Sequence, residues 1–236
     1  MRIKSIIPHL VLAGLVSAHT IVTNVIIDGK NYGYGKCIRP YWKSPNYPVT
    51  DVNSPDLACR TSNMDPNATD ICPVKAGSKM TVEWHRNKSM NPDDVISASH
   101  TGSCLVYMAP MVAKGQKLEW FKIYEEGYNK DTKWCTDRLI SNGGLLEVTI
   151  PGKLKAGNYV MRAEIIALHG ARRLGGAQFF PNCIQLKVEG GADVVPDGVE
   201  IPGYYKEDDP GIHYTKGADN ENYEVPGPNV IGAEDF

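Results

Sequence analysis

Three features are missing from this sequence, and each absence argues against a class of protein. After the first eighteen residues no apolar run is long enough to cross a bilayer, so we expect a soluble chain with no membrane-spanning segment. No run of lysine or arginine occurs and the formal net charge is −2, which argues against nucleic acid and anionic membranes as partners. No apolar tail lies at residues 234–236, which argues against a lipid anchor there.

The one long apolar run, at the start, has the layout of a secretory signal. Arg2 and Lys4 give a positive beginning, an apolar segment follows, and Val-Ser-Ala at residues 16–18 is a small-residue cleavage site. The sequence therefore predicts a signal peptide over residues 1–18 and a secreted protein that begins at His19. The rest, residues 19–236, is expected to form one domain.

The cysteines also lack a pattern, because none of them forms a CxxC pair, and this disfavours a zinc site. Their number is even, and in an exported chain an even number indicates disulfide bonds. Counting alone leaves their pairing open. Two glycosylation sequons, which begin at Asn67 and Asn87, agree with export. The six cysteines are Cys37, Cys59, Cys72, Cys104, Cys135 and Cys183.

Amphipathic helical periodicity is absent too, and the chain reads as short strands separated by Gly and Pro. This pattern predicts an all-β sandwich or barrel with short helical turns near residues 51–58 and 134–139. Pro181 predicts an edge, a bulge or a break in the last strand. The predicted strands are 20–27, 79–85, 103–109, 119–124, 145–150, 158–168 and 177–188.

Two long segments have no predicted strand: residues 29–55, after the first strand, and residues 190–236, after the last one. Long loops in a compact domain are either functional or disordered. The first is rich in aromatic residues, and exposed rings favour a binding role such as stacking on sugars. The alternative is that individual rings cover the sandwich core.

His19 is the most informative residue if it becomes the N-terminus. Its α-amine and ring Nδ1 would then chelate one metal ion, and a second imidazole would complete three nitrogen donors, a set that favours Cu(II). The alternative is that histidine follows the cleavage site by chance. Spacing does not choose the second imidazole, and each candidate could instead be a structural histidine. The candidates are His85, His100, His169 and His213.

Several segments occur in an order that resembles the fungal lytic polysaccharide monooxygenases of auxiliary activity family nine, once classed as glycoside hydrolases. The resemblance runs over almost the whole chain. The segments include HTIVTNVIIDG at 19, PVTDVNSPDLAC at 48, VKAGSKMTVEWH at 74, ASHTG at 98, AGNYVMRAEIIALHGA at 156, GGAQFFPNCIQLKV at 175 and YEVPGPNV near the end.

The resemblance implies an immunoglobulin- or fibronectin-like antiparallel β-sandwich with long loops that form a flat active face, including the extension 190–236. It implies one copper ion held by His19, through amine and ring, and by His100. His169 and Gln178 would lie beside the ion and act in catalysis. The implied reaction is oxidative cleavage of a β-1,4-glucan at C1 or C4 with dioxygen or hydrogen peroxide. An external electron donor would supply the electrons, and we expect the enzyme to be a monomer.

One position departs from the family pattern. Relatives usually have a tyrosine two residues after the glutamine, beside the axial position of copper, and here that residue is Phe180. We expect this change to alter the redox properties rather than copper binding, although Phe180 can equally be simple apolar packing.

The resemblance also implies disulfides and substrate contacts. The implied pairs are Cys59 with Cys183, Cys37 with Cys72, and Cys104 with Cys135. Tyr223 matches a tyrosine on the flat surface of relatives, and Tyr41, Trp42 or another ring of the first long loop is expected to extend that surface.

Two other functions compete with the enzyme. One is a copper-binding protein of the same fold that acts in copper uptake or at the cell wall without cleaving polysaccharide. The other is an immunoglobulin-like adhesion domain without metal. His169 and Gln178 favour the enzyme, because copper storage does not need them, whereas Phe180 and the first loop favour the non-catalytic copper protein.

Overall fold

Strands dominate the structure, a computed structural model that describes residues 20–40, 47–60, 67, 69–113, 115–217 and 219–232. Within these ranges one α-helix, α1, covers Cys135–Ser141, and 3-10 turns cover Pro55–Leu57 and Asn220–Asn222. The strands are β1 Ile21–Ile27, β2 Lys30–Asn31, β3 Cys72–Lys75, β4 Lys79–His85, β5 Gly102–Pro110, β6 Glu119–Glu126, β7 Tyr128–Asn129, β8 Lys133–Trp134, β9 Leu145–Thr149, β10 Gly157–Ala167, β11 Gln178–Glu189 and β12 Val199–Glu200.

The described strands form a sandwich of two sheets and a small separate hairpin. One sheet has the order β2-β1-β4-β9 and the other β12-β6-β5-β10-β11-β3, while β7 and β8 pair with each other. All pairs are antiparallel except β3 with β11, which is parallel. The expected antiparallel sandwich is therefore confirmed with one exception. Since β3 and β11 lie far apart in the sequence, no hairpin dictates their relative direction.

The larger sheet is buried on both faces, because alternate side chains of its strands enter two different apolar clusters. In β5, Val106 and Met108 join the cluster between the two sheets, which also contains Trp84 of β4. Leu105 and Tyr107 point to the opposite face and join a second cluster, which the loops and the C-terminal extension cover. This double burial explains why the central strands read as nearly continuous apolar runs.

The strand predictions agree with the structure to within two residues at each end. The strand containing Pro181 runs without a break. Pro181 lies before the part of β11 that pairs with β3, so its missing N–H removes no hydrogen bond between these two strands. The two expected helical turns appear as the 3-10 turn Pro55–Leu57 and as α1. Five strands were not predicted because they are too short to show a period: β2, β3, β7, β8 and β12.

The disulfide pairs that the resemblance implied are all formed: Cys37–Cys72, Cys59–Cys183 and Cys104–Cys135. The last bond ties the start of α1 to β5, and the second ties the segment after the 3-10 turn to β11. None of the described helices is long and apolar enough to cross a membrane.

Candidate metal centre

Three strand ends meet at one edge of the larger sheet. Ala167, the last residue of β10, pairs with Gly102 at the start of β5 on one side and with Gln178 at the start of β11 on the other. Gly102 allows this close approach, because a Cβ there would lie 1.8 Å from the carbonyl oxygen of Ile166. The residues just outside these strand ends, His100 and His169, are thereby brought to the same place.

Two imidazole rings lie side by side at this edge. The ring centroids of His100 and His169 are 4.1 Å apart, with an angle of 36° between their planes. His100 is buried, and its Nδ1 lies 3.1 Å from the hydroxyl of Ser99. His169 is largely exposed, but one face of its ring is covered. This partial burial, together with the positive charge of Lys216, lowers the pKa of His169 and favours a neutral ring.

Two buried polar atoms at the same edge have no hydrogen-bond partner among the described residues. They are Oε1 of Gln178 and Oγ1 of Thr101. A buried acceptor without a partner is costly and often marks a place where a ligand or water binds. A set of imidazole and amide groups suits a transition metal with a water or oxygen ligand. The described part of the centre therefore fits a nitrogen-coordinated metal.

Phe180 forms the floor of the cluster. Its side chain is fully buried, and its ring centroid lies 6.2 Å from that of His100. On another side the guanidinium carbon of Arg60 lies 5.2 Å from the Phe180 ring centroid. The phenyl ring thus has an imidazole and a guanidinium cation as neighbours. A cation is attracted to the face of an aromatic ring, so the contact with Arg60 is favourable.

His19 lies outside the described residues, but the chain that follows it is firmly held next to the cluster. The carbonyl of Thr20 accepts a hydrogen bond from Nη1 of Arg60, at 3.2 Å, and its hydroxyl donates to the carbonyl of Val95, at 2.8 Å. The amide of Val22 donates to Oδ1 of Asn182, whose own Nδ2 donates to the carbonyl of Phe180. These contacts bring the start of β1 to the edge where the histidines lie.

The other two candidate histidines have separate roles. Nε2 of His85 lies 2.8 Å from Oε1 of Glu83, two residues away on the same strand, and the His85 side chain is buried. His213 is exposed, and its Nε2 lies 3.1 Å from the carbonyl oxygen of Arg172. Of the four candidates, His100 and His169 are the pair whose rings contact each other.

Tyr223 is half-buried in an aromatic cluster rather than standing free on the surface. Its ring centroid lies 4.8 Å from that of Trp134 and 5.0 Å from that of Tyr214. Its hydroxyl donates to the carbonyl of Gly211 and lies 3.2 Å from the hydroxyl of Ser103. Burial raises the pKa of the Tyr223 phenol, so the ring stays neutral. The Tyr223 hydroxyl is thus occupied by contacts within the chain.

The other predicted surface rings, Tyr41 and Trp42, lie outside the described residues. In the same loop Tyr47 is 63% exposed, and Val49 pairs with Phe179 at the start of β11. Tyr47 is thus an exposed ring two residues before the point where this loop pairs with β11. Tyr47 could not be singled out from the sequence, because this loop contains several aromatic residues.

Both predicted glycosylation sites are exposed. Asn67 lies on the surface, and Asn87 lies in the turn after β4. The Nδ2 atom of Asn87 donates a hydrogen bond to Asp94 at 2.7 Å. Glycosylation at these positions stays a prediction.

The family of the chain follows from a match that covers most of its length. A family model described as Auxiliary Activity family 9, formerly GH61, matches residues 19–223. The chain belongs to Auxiliary Activity family 9. The match begins at His19 and includes each residue of the cluster described above.

Curated relatives of the chain carry the name of this family. An AA9 family lytic polysaccharide monooxygenase A from Aspergillus clavatus is 43% identical over 221 residues, which cover 92% of this chain and 62% of that protein. The relative of the same name from Aspergillus niger is 45% identical over 220 residues, which cover 92% of this chain and 53% of that protein. The chain thus spans between half and two thirds of the length of these two relatives.

Solved structures share the fold along nearly their whole length. The protein named CvAA9A is 36% identical with a TM-score of 0.83, and the alignment covers 91% of this chain and 99% of that one. A cellulose-active polysaccharide monooxygenase from M. thermophila is 26% identical with a TM-score of 0.73, covering 90% of this chain and 99% of that one. The sandwich is therefore the fold of the family.

Proposed function

We propose that this chain is a secreted, copper-dependent lytic polysaccharide monooxygenase that cleaves a β-1,4-glucan oxidatively, at C1, at C4 or at both. The observation that carries the proposal is the cluster of His100, His169 and the partnerless oxygen of Gln178 at one edge of the sheet. Membership of the family and the names of its relatives support the same activity.

His19 and His100 are the proposed copper ligands, and removal of residues 1–18 would expose the amine of His19. The contact of Nδ1 of His100 with Ser99 supports Nε2 as the proposed coordinating nitrogen, since a metal-bound imidazole usually hydrogen-bonds through its other nitrogen. Copper held there would accept an electron from an external donor and activate dioxygen or hydrogen peroxide for oxidation of a sugar C–H bond.

Gln178 and His169 have the proposed role of orienting and protonating what binds beside the metal. Oε1 of Gln178 is buried without a partner among the described residues, and Gln178 pairs with Ala167 at the strand ends next to the two histidines, so this oxygen is available to accept a hydrogen bond. The lowered pKa of His169 keeps its ring neutral near pH 7, and a neutral imidazole can both donate and accept a proton.

The proposed substrate surface is the outer side of this same edge. Tyr47 is exposed beside the start of β11, and Tyr223 presents a half-buried ring. Flat rings stack on the C–H faces of sugars, which suits a polymer surface better than a deep cleft. Cellulose is the first substrate we propose, because a structural neighbour is named as cellulose-active, and xyloglucan is the second.

A copper-binding protein without catalytic activity is the competing function, and Phe180 is the observation that favours it. A phenyl ring offers no oxygen at the position where relatives usually carry a tyrosine, so the surroundings of copper would differ from those in most of the family.

The test is product analysis on solid and soluble glucans. Protein that begins at His19 is loaded with one copper ion and incubated with cellulose or xyloglucan, ascorbate and hydrogen peroxide. We expect mass spectrometry to find oxidised oligosaccharides that are absent without copper or without ascorbate. Tight copper binding with no oxidised product from any β-1,4-glucan would favour the non-catalytic protein instead.

A further inference from the structure

Arg60 is a buried arginine that the proposed mechanism does not use. Its side chain is only 8% exposed, and it follows Cys59 directly in the chain. We propose that Arg60 is a positioning residue that holds the N-terminal segment and Phe180 in the arrangement needed for copper binding. This inference rests on the function proposed above and assigns a role to a residue outside the ligand set.

The backbone that carries Arg60 is held from several sides. Cys59 is bonded to Cys183 of β11, and the amide of Arg60 donates to the carbonyl of Asp56. The guanidinium of Arg162, itself fully buried, donates to the carbonyls of the two residues before Cys59. Arg60 adopts the left-handed backbone region, with φ of 54°, which is uncommon for a residue with a side chain. The surrounding contacts keep it there, and such over-determined positions often serve a site.

The guanidinium of Arg60 contacts two parts of the candidate centre: Thr20, just before β1, and Phe180 of β11. These two strands belong to different sheets. Nη1 donates to the carbonyl of Thr20, the first described residue of the chain, at 3.2 Å. The planar cation also lies over the ring of Phe180, 5.2 Å from its centroid, and Phe180 in turn lies 6.2 Å from His100. One side chain therefore links the residue after His19 to the floor beneath His100.

Only arginine combines these two contacts in one rigid group. A guanidinium can stack on an aromatic face while its in-plane N–H groups donate hydrogen bonds, whereas the ammonium of lysine is a point charge on a flexible stem. Fixing the carbonyl of Thr20 holds the peptide between Thr20 and Ile21, so the chain is anchored one residue after His19. A chelating residue that is already oriented loses less conformational entropy when it binds a metal.

The experiment compares Cu(II) binding by the wild-type protein and by Arg60→Gln, both beginning at His19. We expect Arg60→Gln to weaken Cu(II) binding about 10-fold, the range seen when a partner of a metal ligand is lost, and to change the Cu(II) electron paramagnetic resonance spectrum. In the copper-free protein we expect faster hydrogen exchange at the amide of Val22. Arg60→Lys should lose less affinity than Arg60→Gln, because it retains a cation and a donor.

Arg39→Gln is the matched control, because Arg39 is also a buried arginine but bonds to Gln185 elsewhere on β11. It should lower stability without changing copper affinity or the spectrum. If folded Arg60→Gln, or Arg60→Lys where the first variant does not fold, binds copper with the wild-type affinity and spectrum, Arg60 is merely structural. Failure of the wild-type protein itself to bind copper would refute the proposed function as well, so the two failures are distinguishable.

Discussion

At the scale of single residues, Gln178 and Gln185 show how the same side chain can serve a site or the fold. Both belong to β11. Oε1 of Gln185 accepts from Nε of Arg39, and its Nε2 donates to the carbonyl of Thr69. Oε1 of Gln178 has no partner among the described residues. The first amide therefore stabilises the fold, whereas the second has an oxygen left over for the ligand contact that we propose.

The contrast gives a prediction for two identical substitutions. Gln178→Met should leave the free energy of unfolding of the copper-free protein within about 1 kcal/mol of wild type, because it removes a buried acceptor that has no partner. The same variant should retain copper and lose turnover. Gln185→Met should cost about 1–3 kcal/mol for each partner that it leaves unsatisfied.

Chemical denaturation, copper titration and product analysis on both variants check this prediction. A large loss of stability in copper-free Gln178→Met would mean that the amide has a structural role and would remove its assignment to catalysis.

The site residues that could be predicted from the sequence are those with a distinctive chemistry or a family motif. Periodicity alone could not choose among His85, His100, His169 and His213, because their proximity depends on which strand ends pair. The resemblance named His100 and His169, and the pairing of Ala167 with Gly102 and Gln178 gives the physical reason. Asn182 and Arg60 carried no signal in one sequence, since their roles depend on contacts between distant segments.

At the scale of elements, the disulfides Cys59–Cys183 and Cys37–Cys72 differ in how near they lie to the candidate metal centre. Cys59–Cys183 holds the segment that carries Arg60 against β11, only three residues from Phe180. Cys37–Cys72 instead ties a loop to β3, which pairs with the far end of β11. Both bonds constrain the unfolded chain, but only the first supports a residue in contact with Phe180.

Removing each bond separately tests this division. Replacing Cys59 and Cys183 by alanine, or Cys37 and Cys72 by alanine, should lower the free energy of unfolding by about 2–5 kcal/mol in either case. Only the first double variant should also weaken Cu(II) binding in the folded protein. Denaturation curves and copper titrations measure both effects, and equal copper affinity in the two variants would contradict the division.

The longer strands could be predicted because they alternate or run apolar over five or more residues. The short strands β2, β7, β8 and β12 have two residues each, so no period can reveal them. Their pairing follows from the positions of longer neighbours, as with β12, which adds to the edge of β6.

At the scale of the whole molecule, several described residues of the C-terminal extension pack into the core. Tyr205 is buried, and its hydroxyl donates to Glu164 of β10 at 3.0 Å and lies 2.7 Å from the hydroxyl of Tyr107. Glu164 forms a fully buried ion pair with Arg162. Further along, the amide of Ile231 donates to the carbonyl of Lys122 in β6. Composition alone had left this segment open between functional and disordered.

The extension should therefore unfold together with the sandwich. We expect the described amides that are hydrogen-bonded in residues 199–231 to exchange hydrogen with nearly the same free energy of opening as those of β10. Native-state hydrogen exchange followed by mass spectrometry measures both. Much weaker protection of the extension than of β10 would show that it opens independently of the core.

The central claim is that a free N-terminal His19 and His100 together hold copper, and one pair of proteins tests it most directly. The first begins at His19 and the second carries one additional alanine before it, which converts the chelating amine into an amide. Calorimetric titration with Cu(II) should show that the added alanine weakens copper binding. The loss should exceed the roughly 10–100-fold that is typical when a residue hydrogen-bonded to a metal ligand is replaced. Equal affinity in the two proteins would contradict the claim.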